Sequence, residues 1–294
     1  MSACMSRVVC RKRFQAATLR PGLTLMELVV VMSVLAALAA IVIPMFPNLL
    51  RRAHKVSDAT QTSEISKAVQ TYQASFIGYP ANLDMLTDGT SFPAYLPGGT
   101  TPFGGFVTAS VLTGAQQDAL NAVGITTVQK LATAADAAAT TTLMAGGTFH
   151  PTKNPYGGTF VTDAVTVPGG TGADSTNTFA VINMTAAVAA NPAFLQAARA
   201  ADPNATYVVF GVGARNSMVG QTIQDAPTSV PQKATFTPDN TYCRVGLIFK
   251  VSGTEVANAD NRAKFIAAVA LEDDELESTE KDLVGYYQVS RGTN

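Results

Sequence analysis

The chain has 294 residues, of which 47% are hydrophobic and 14% are charged, and its formal net charge is −1. Residues 1–22 hold five basic residues and no acidic one, so without them 15 Lys and Arg would stand against 21 Asp and Glu, a net charge of −6. The length allows a sizeable buried core, and the acidic balance argues against nucleic-acid binding.

A long apolar segment runs from Leu23 to Ile43, and its only charged residue is Glu27. Its 21 residues would make a helix of about 32 Å, enough to cross a bilayer core of about 30 Å. Twelve of them are Leu, Ile or Val, whose insertion outweighs the cost of one acidic residue. The segment is therefore predicted to span a membrane, where a carboxylate indicates a functional position.

The motif G-L-T-L-M-E from Gly22 to Glu27, followed by the apolar run, resembles the class III signal of type IV pilins and type II secretion pseudopilins. The resemblance implies that a peptidase cuts after Gly22, that the new amine of Leu23 is methylated, and that Glu27 guides the subunit into a helical filament. Pro44 lies where members of the family commonly have a helix-kinking proline. Two positions differ: the family usually has Phe or Met at the place of Leu23, and Pro21 is unusual before the glycine.

The same resemblance implies partners and a location. The partners are a prepilin peptidase, other pilin or pseudopilin subunits and an inner-membrane assembly platform. The location is the bacterial inner membrane, crossed once, with the C-terminal domain periplasmic or extracellular. Basic residues before the span outnumber those just after it by five to three, which independently favours a cytoplasmic N-terminus. Secretion pseudopili, pili and DNA-uptake filaments share the motif, so the choice among them stays open.

Two other interpretations of the apolar segment compete with this one. A secretory signal peptide would be cut at the A-x-A-like site Ala37–Ala39, but an acidic residue early in the apolar region and an apolar run that continues past the site argue against it. A single-span anchor would carry a soluble domain that binds a ligand or partner, with Glu27 reaching to the membrane interface. Cleavage discriminates the two, because an anchor keeps its N-terminal leader.

Beyond Pro44 the pattern predicts that a helix continues. Its apolar stripe follows the i, i+4, i+7 spacing as far as Phe76 and stops before a Gly-Tyr-Pro sequence: Leu49, Ala53, Val56, Ile65, Val69, Tyr72 and Phe76. We therefore expect four parts: a leader at 1–22, a transmembrane and assembly helix at 23–44, the soluble half of the long helix at 45–79, and a domain at 80–294. The expected fold class is α+β, with the long helix packed on an antiparallel β-sheet and additional helices, as in pilins.

Further elements are predicted in chain order. Thr113 is a candidate helix N-cap and Gly124 a candidate C-terminal stop. The predicted helices are 113–123, 128–138, 191–200 and 278–289; the predicted strands are 207–213 and 241–251, with one more after the turn at 154–158. The segment 264–271 fits either a strand or a helix.

The pattern of reactive residues argues against an enzyme. The two histidines, His54 and His150, lie far apart in the sequence, and no nucleophile motif, metalloprotease motif, C-x-x-C or P-loop is present. No cofactor is expected, although calcium in the loop at 215–231 stays an alternative with a single carboxylate, Asp225. Cys243, the only cysteine after the leader, is predicted to be a small core residue. The acidic run at 272–277 is predicted to be a solvated face, with a cation site as the alternative.

Overall fold

The computed structural model describes residues 24–43, 46–105, 107–133, 155, 164–169, 172–182, 205–229, 240–252, 262–271 and 276–278. The chain divides into two compact units, Met1–Pro47 and Asn48–Asn294. The helices in the described ranges are α1 (Leu25–Val42), α2 (Phe46–Phe76) and α3 (Gly114–Asn121), with a short 3₁₀ turn at Phe103–Gly105. The strands are β1 (Leu83–Asp84), β2 (Val107–Val111), β3 (Thr127–Gln129), β4 (Ala164–Thr166), β5 (Thr178–Ile182), β6 (Tyr207–Gly211), β7 (Val245–Lys250), β8 (Lys264–Leu271) and β9 (Leu276–Ser278).

The described strands form one mixed sheet, whose main path has the order β4-β3-β1-β6-β7-β8-β9. Off this path, β5 pairs with β6 and β2 pairs with β5. Strands β1 and β3 are parallel, with Leu83 opposite Val128, whereas the other described pairs are antiparallel. The α+β class is therefore found, but the expectation of an antiparallel sheet is wrong for this pair. The connection from β1 to β3 contains β2 and α3, which is long enough for a parallel crossover.

The centre of the sheet is buried on both faces. Alternate residues of a strand point to opposite faces, so Val208 and Phe210 of β6 lie in one apolar cluster while Tyr207 and Val209 lie in another. The first cluster includes Ile65 of α2. The second is completed by apolar residues that follow β1: Leu86, Phe92, Leu96 and Phe103. Burial on both faces explains why β6 is apolar throughout and does not alternate.

The predicted apolar stripe along the long helix is confirmed only in its central part. Ile65 and Val69 of α2 are buried in the core. Leu49 and Val56, nearer the start of the helix, and Phe76 at its end are about half exposed or more. The helix ends at Phe76, as the following Gly-Tyr-Pro predicts.

The segment after β2 contains one confirmed helix and one wrong prediction. Helix α3 has Thr113 as its N-cap in a reciprocal capping box with Gln116, and Gly124 follows it with a left-handed φ of 94°. The helix predicted at 128–138 does not begin there, because Thr127–Gln129 forms β3 and Val128 is fully buried in the sheet core. Residues 134–138 lie outside the described part of the chain.

The later strands are mostly as predicted. The strand predicted at 207–213 is β6, and the one predicted at 241–251 is β7, which begins at Val245. The ambiguous segment 264–271 is strand β8. Ser278 ends β9, so the helix predicted at 278–289 does not begin at Ser278. Three further predictions lie outside the described residues, apart from Pro155 and Ser278: the turn at 154–158 with its strand, and the helices at 191–200 and 278–289. Cys243 is buried, as expected.

A tight turn follows β1. The Oδ1 atom of Asp88 accepts hydrogen bonds from the amides of Thr90, at 2.9 Å, and Ser91, at 2.8 Å. Partial burial raises the pKa of Asp88, but the hydrogen bonds from Ser91 and Thr90 outweigh it and hold the pKa below its ordinary value. The ionised carboxylate therefore stabilises this turn.

Candidate assembly segment

Helix α1 is apolar on every side. Its 18 residues form a helix long and apolar enough to span a membrane, and none of them is buried. The exposed fraction of its large apolar side chains runs from 49% at Val42 to 81% at Leu25. The helix thus has the length and hydropathy of a membrane span, which a signal sequence near an N-terminus shares.

The start of α1 is organised by two side chains, those of Thr24 and Glu27. Thr24 is the N-cap, and its Oγ1 accepts a hydrogen bond from the backbone amide of Glu27 at 3.2 Å. In return, the Oε2 atom of Glu27 accepts bonds from the Thr24 amide, at 2.8 Å, and from the Thr24 hydroxyl, at 3.0 Å. This reciprocal capping box satisfies backbone donors that the first turn of a helix otherwise leaves without partners.

The capping box directs the carboxylate of Glu27 back towards the beginning of α1. A negative charge at this end of a helix is favoured by the helix dipole. Both bonds from Thr24 end on Oε2, and among the described residues Oε1 accepts no hydrogen bond. The carboxylate can therefore receive a cationic donor from outside the chain without losing its cap.

The structure describes one of the four predicted processing and assembly residues. Glu27 lies in the first turn of α1, whereas Gly22, Leu23 and Pro44 lie outside the described residues. The sequence prediction missed the role of Thr24 as the partner of Glu27. The T-x-x-E spacing directly before an apolar run is the capping-box signature, and it is visible in the sequence.

The loop after β6 is the place where the sequence leaves calcium as an alternative. Within the described part of the chain, no group of three or more His, Cys, Asp or Glu residues is arranged to hold a metal ion. Asp225 is exposed, and the carbonyl oxygens of Ala226 and Pro227 accept hydrogen bonds from the guanidinium group of the buried Arg244. The guanidinium group of Arg244 thus already binds two carbonyl oxygens of this loop.

Cavities occur among the described residues of the unit Asn48–Asn294. One, of about 300 Å³, lies between α3 and the turn at 173–177, and another, of about 370 Å³, is lined by threonines at positions 90, 100, 101 and 108. The described linings contain no His, Cys or Lys. Comparison with known family models, with curated proteins and with solved structures gave no match.

Proposed function

We propose that this chain is a structural subunit of a type II secretion pseudopilus or a type IV pilus-like filament. It is inserted in the bacterial inner membrane as a prepilin, cut after Gly22, methylated at Leu23 and polymerised through α1. The soluble unit takes a pilin-like arrangement, with α2 packed on the sheet, and is not an enzyme. The observation that carries the proposal is the combination of an apolar helix that has no buried residue with a carboxylate held at its start.

The exposure of α1 supports an assembly role. The large apolar side chains of α1 are exposed from Leu25 to Val42, and an apolar helix of this kind suits packing against lipid or against other apolar helices. Before assembly the membrane covers the helix, since α1 is long enough to span it. In a filament, the α1 helices of neighbouring subunits take the place of the lipid.

The pairing of Glu27 with an amine gives the filament its axial register. After cleavage, Leu23 carries a free amine next to the N-cap Thr24. In an apolar setting an ammonium group and a carboxylate each carry a high desolvation cost, which is reduced when they meet. The amine of an incoming subunit therefore pairs with Glu27 of its neighbour, in which both bonds from Thr24 end on Oε2.

The experiment compares cleavage with assembly in cells. Glu27→Ala should be inserted and cut normally, as measured by intact mass, yet fail to give cross-linked filaments, because the amine of the incoming subunit has no partner. Glu27→Asp, with its shorter reach, should assemble partly. Ser33→Ala is the matched control, because the hydroxyl of Ser33 bonds within its own helix to the carbonyl of Val30 at 2.8 Å. Filament at wild-type levels with Glu27→Ala would refute the mechanism.

The second candidate function is a single-span anchor with a ligand- or partner-binding soluble domain. The two cavities favour it, because volumes of about 300 and 370 Å³ suit a small molecule. An anchor keeps its leader, so a membrane-extracted protein that begins at Met1 would support this function. A protein that begins at Leu23 supports the filament subunit.

A further inference from the structure

The cavity of about 300 Å³ between α3 and the turn at 173–177, here called the α3 cavity, has walls that hydrogen bonds hold in place. The amide of Ser175 donates to the carbonyl of Leu112 at 2.8 Å, and the amide of Leu112 donates to the hydroxyl oxygen of Ser175 at 2.8 Å. At the wall that follows β4, the Nδ2 atom of Asn121 donates to the carbonyl of Val167 at 2.9 Å. The cavity is therefore formed by the fold itself, as small-molecule sites usually are.

One buried side chain in the wall carries an acceptor that the described chain does not use. Gln117 of α3 lines the cavity and is only 2% exposed. Its Nε2 atom donates to the carbonyls of Ala173, at 2.8 Å, and Leu112, at 3.4 Å, so these two partners identify the amide nitrogen. Among the described residues, no group donates to Oε1. Because buried polar atoms nearly always have a partner, Oε1 indicates a donor that comes from outside the chain.

The rest of the lining combines a negative charge with apolar surface. Asp174 is exposed, and its Oδ1 accepts a hydrogen bond from the amide of Gly114 at 3.2 Å. The apolar part of the lining includes Val165, Pro168 and Phe179. The described lining contains no Lys, Arg or His. A ligand of this cavity therefore meets a carboxylate and no positive charge.

We propose that the α3 cavity binds a small primary amine with an apolar body, whose ammonium group donates to Oε1 of Gln117 and to the carboxylate of Asp174. The two acceptors belong to one wall, because the amide of Gln117 bonds to the carbonyl of Ala173, the residue before Asp174. An ammonium group carries N–H donors and no acceptor, which suits a wall that offers acceptors. The volume of about 300 Å³ suits a small molecule.

The same lining disfavours other ligands. An anionic ligand would meet the carboxylate of Asp174 with no cation in the described lining to offset the repulsion between like charges. A neutral alcohol can donate to Gln117, but its hydrogen bond to Asp174 lacks the attraction between opposite charges. The proposal goes beyond filament assembly and holds for a filament subunit and for an anchor alike.

The first experiment compares three probes of similar size, para-fluorobenzylamine, para-fluorobenzyl alcohol and para-fluorobenzoate. Each is titrated by fluorine NMR into the full chain in detergent and into micelles alone. The amine should bind beyond its partition into micelles, the alcohol should bind roughly fivefold more weakly or less, and the benzoate should not bind. An amine that binds no better than the alcohol or the benzoate, or that shows no binding beyond the micelles, would overturn the proposal.

The second experiment repeats the amine titration with variants. Asp174→Asn keeps an oxygen for the amide of Gly114, so its Tm should stay close to that of the wild type, while the affinity for the amine should fall by roughly fivefold or more. Asp225→Asn is the matched control, because Asp225 is exposed and does not line the cavity. Gln117→Met should weaken the amine and the alcohol alike; if it fails to fold, Asp174→Asn decides alone.

Unchanged affinity for the amine in Asp174→Asn, or an equal loss in Asp225→Asn, would refute the site. Neither result bears on the filament, because processing and cross-linking are measured without the probes. A protein that binds the amine but does not assemble would keep this site and lose the proposed filament.

Discussion

Replacing Tyr242 with phenylalanine removes one hydroxyl group from the centre of the sheet and tests how the soluble unit is held together. The hydroxyl of Tyr242 donates a hydrogen bond of 2.6 Å to Oδ2 of Asp84, and both side chains are fully buried. Gly211, which pairs with Asp84 across β1 and β6, leaves the space in which the Tyr242 hydroxyl lies, because a Cβ atom there would overlap it. The three residues thus form one buried polar arrangement.

The expected cost follows from burial. A buried acceptor that loses its donor cannot turn to water instead, and the loss costs about 1 to 3 kcal/mol. For a unit of this size each kcal/mol corresponds to about 2 to 4 °C in Tm. Tyr242→Phe should therefore lower the Tm by roughly 2 to 12 °C.

The assay is urea and thermal unfolding of the full chain in detergent, followed by the near-UV signal of its tyrosines. Tyr95→Phe is the matched control, because the hydroxyl of Tyr95 donates to neutral carbonyls, those of Ala132 at 2.9 Å and Pro155 at 3.2 Å. Its loss should cost about 0.5 to 1.5 kcal/mol. In an Asp84→Asn background the cost of Tyr242→Phe should fall to a similar value, since the carboxyl group that accepts the bond is then replaced by an amide.

Two results would refute this account of the buried pair. The first is a cost for Tyr242→Phe no larger than that for Tyr95→Phe. The second is strictly additive behaviour of Tyr242→Phe and Asp84→Asn, because residues joined by a hydrogen bond should show an interaction energy.

Three further predictions concern processing, independence of the soluble unit and pH. The mature protein should begin at Leu23 with a methylated amine, as measured by intact mass; a start at Met1 would indicate an anchor and one near Ala40 a signal peptide. Residues 51–294, exported with a cleavable signal, should be monomeric with a cooperative melting transition, and aggregation would show that the first half of the long helix belongs to the core. Because the folded-state pKa of Asp88 is lowered, its carboxylate stabilises the fold above about pH 4 and loses this effect as pH falls through the folded-state pKa. Over that pH range the urea midpoint of Asp88→Asn should therefore fall less than the urea midpoint of the wild type. Parallel pH profiles of the two proteins would contradict the assignment.

Local signals in the sequence predicted the elements whose stability is itself local. Helix α3 was found because its N-cap, its capping box and its terminal glycine all lie within a few residues of one another. The end of α2 before Gly-Tyr-Pro and the apolar character of α1 were found in the same way. The Thr24–Glu27 capping box is equally local, since its T-x-x-E signature lies within one turn of the helix.

Contacts between distant segments account for what the sequence did not predict. An alanine-rich segment after residue 127 favours a helix locally, but Thr127–Gln129 pairs with β1 and buries Val128, so burial overrides the local preference. The parallel pairing of β1 and β3 depends on a crossover that no local pattern marks. The hydrogen bond from Tyr242 to Asp84 joins residues 158 positions apart, and neither stands out in the sequence.

The sequence by itself determined that an apolar helix carrying one early carboxylate lies near the N-terminus, that a long amphipathic helix follows, and that strands rich in aromatic and aliphatic residues come later. Composition, periodicity and caps are properties of short segments, which is why these features needed no coordinates. Only the tertiary structure decided which strands pair, that the sheet is buried on both faces, and that α1 buries no residue while the buried Gln117 lines a cavity. These features depend on which surfaces meet in three dimensions, and the free energy of such contacts is shared among residues that are far apart along the chain.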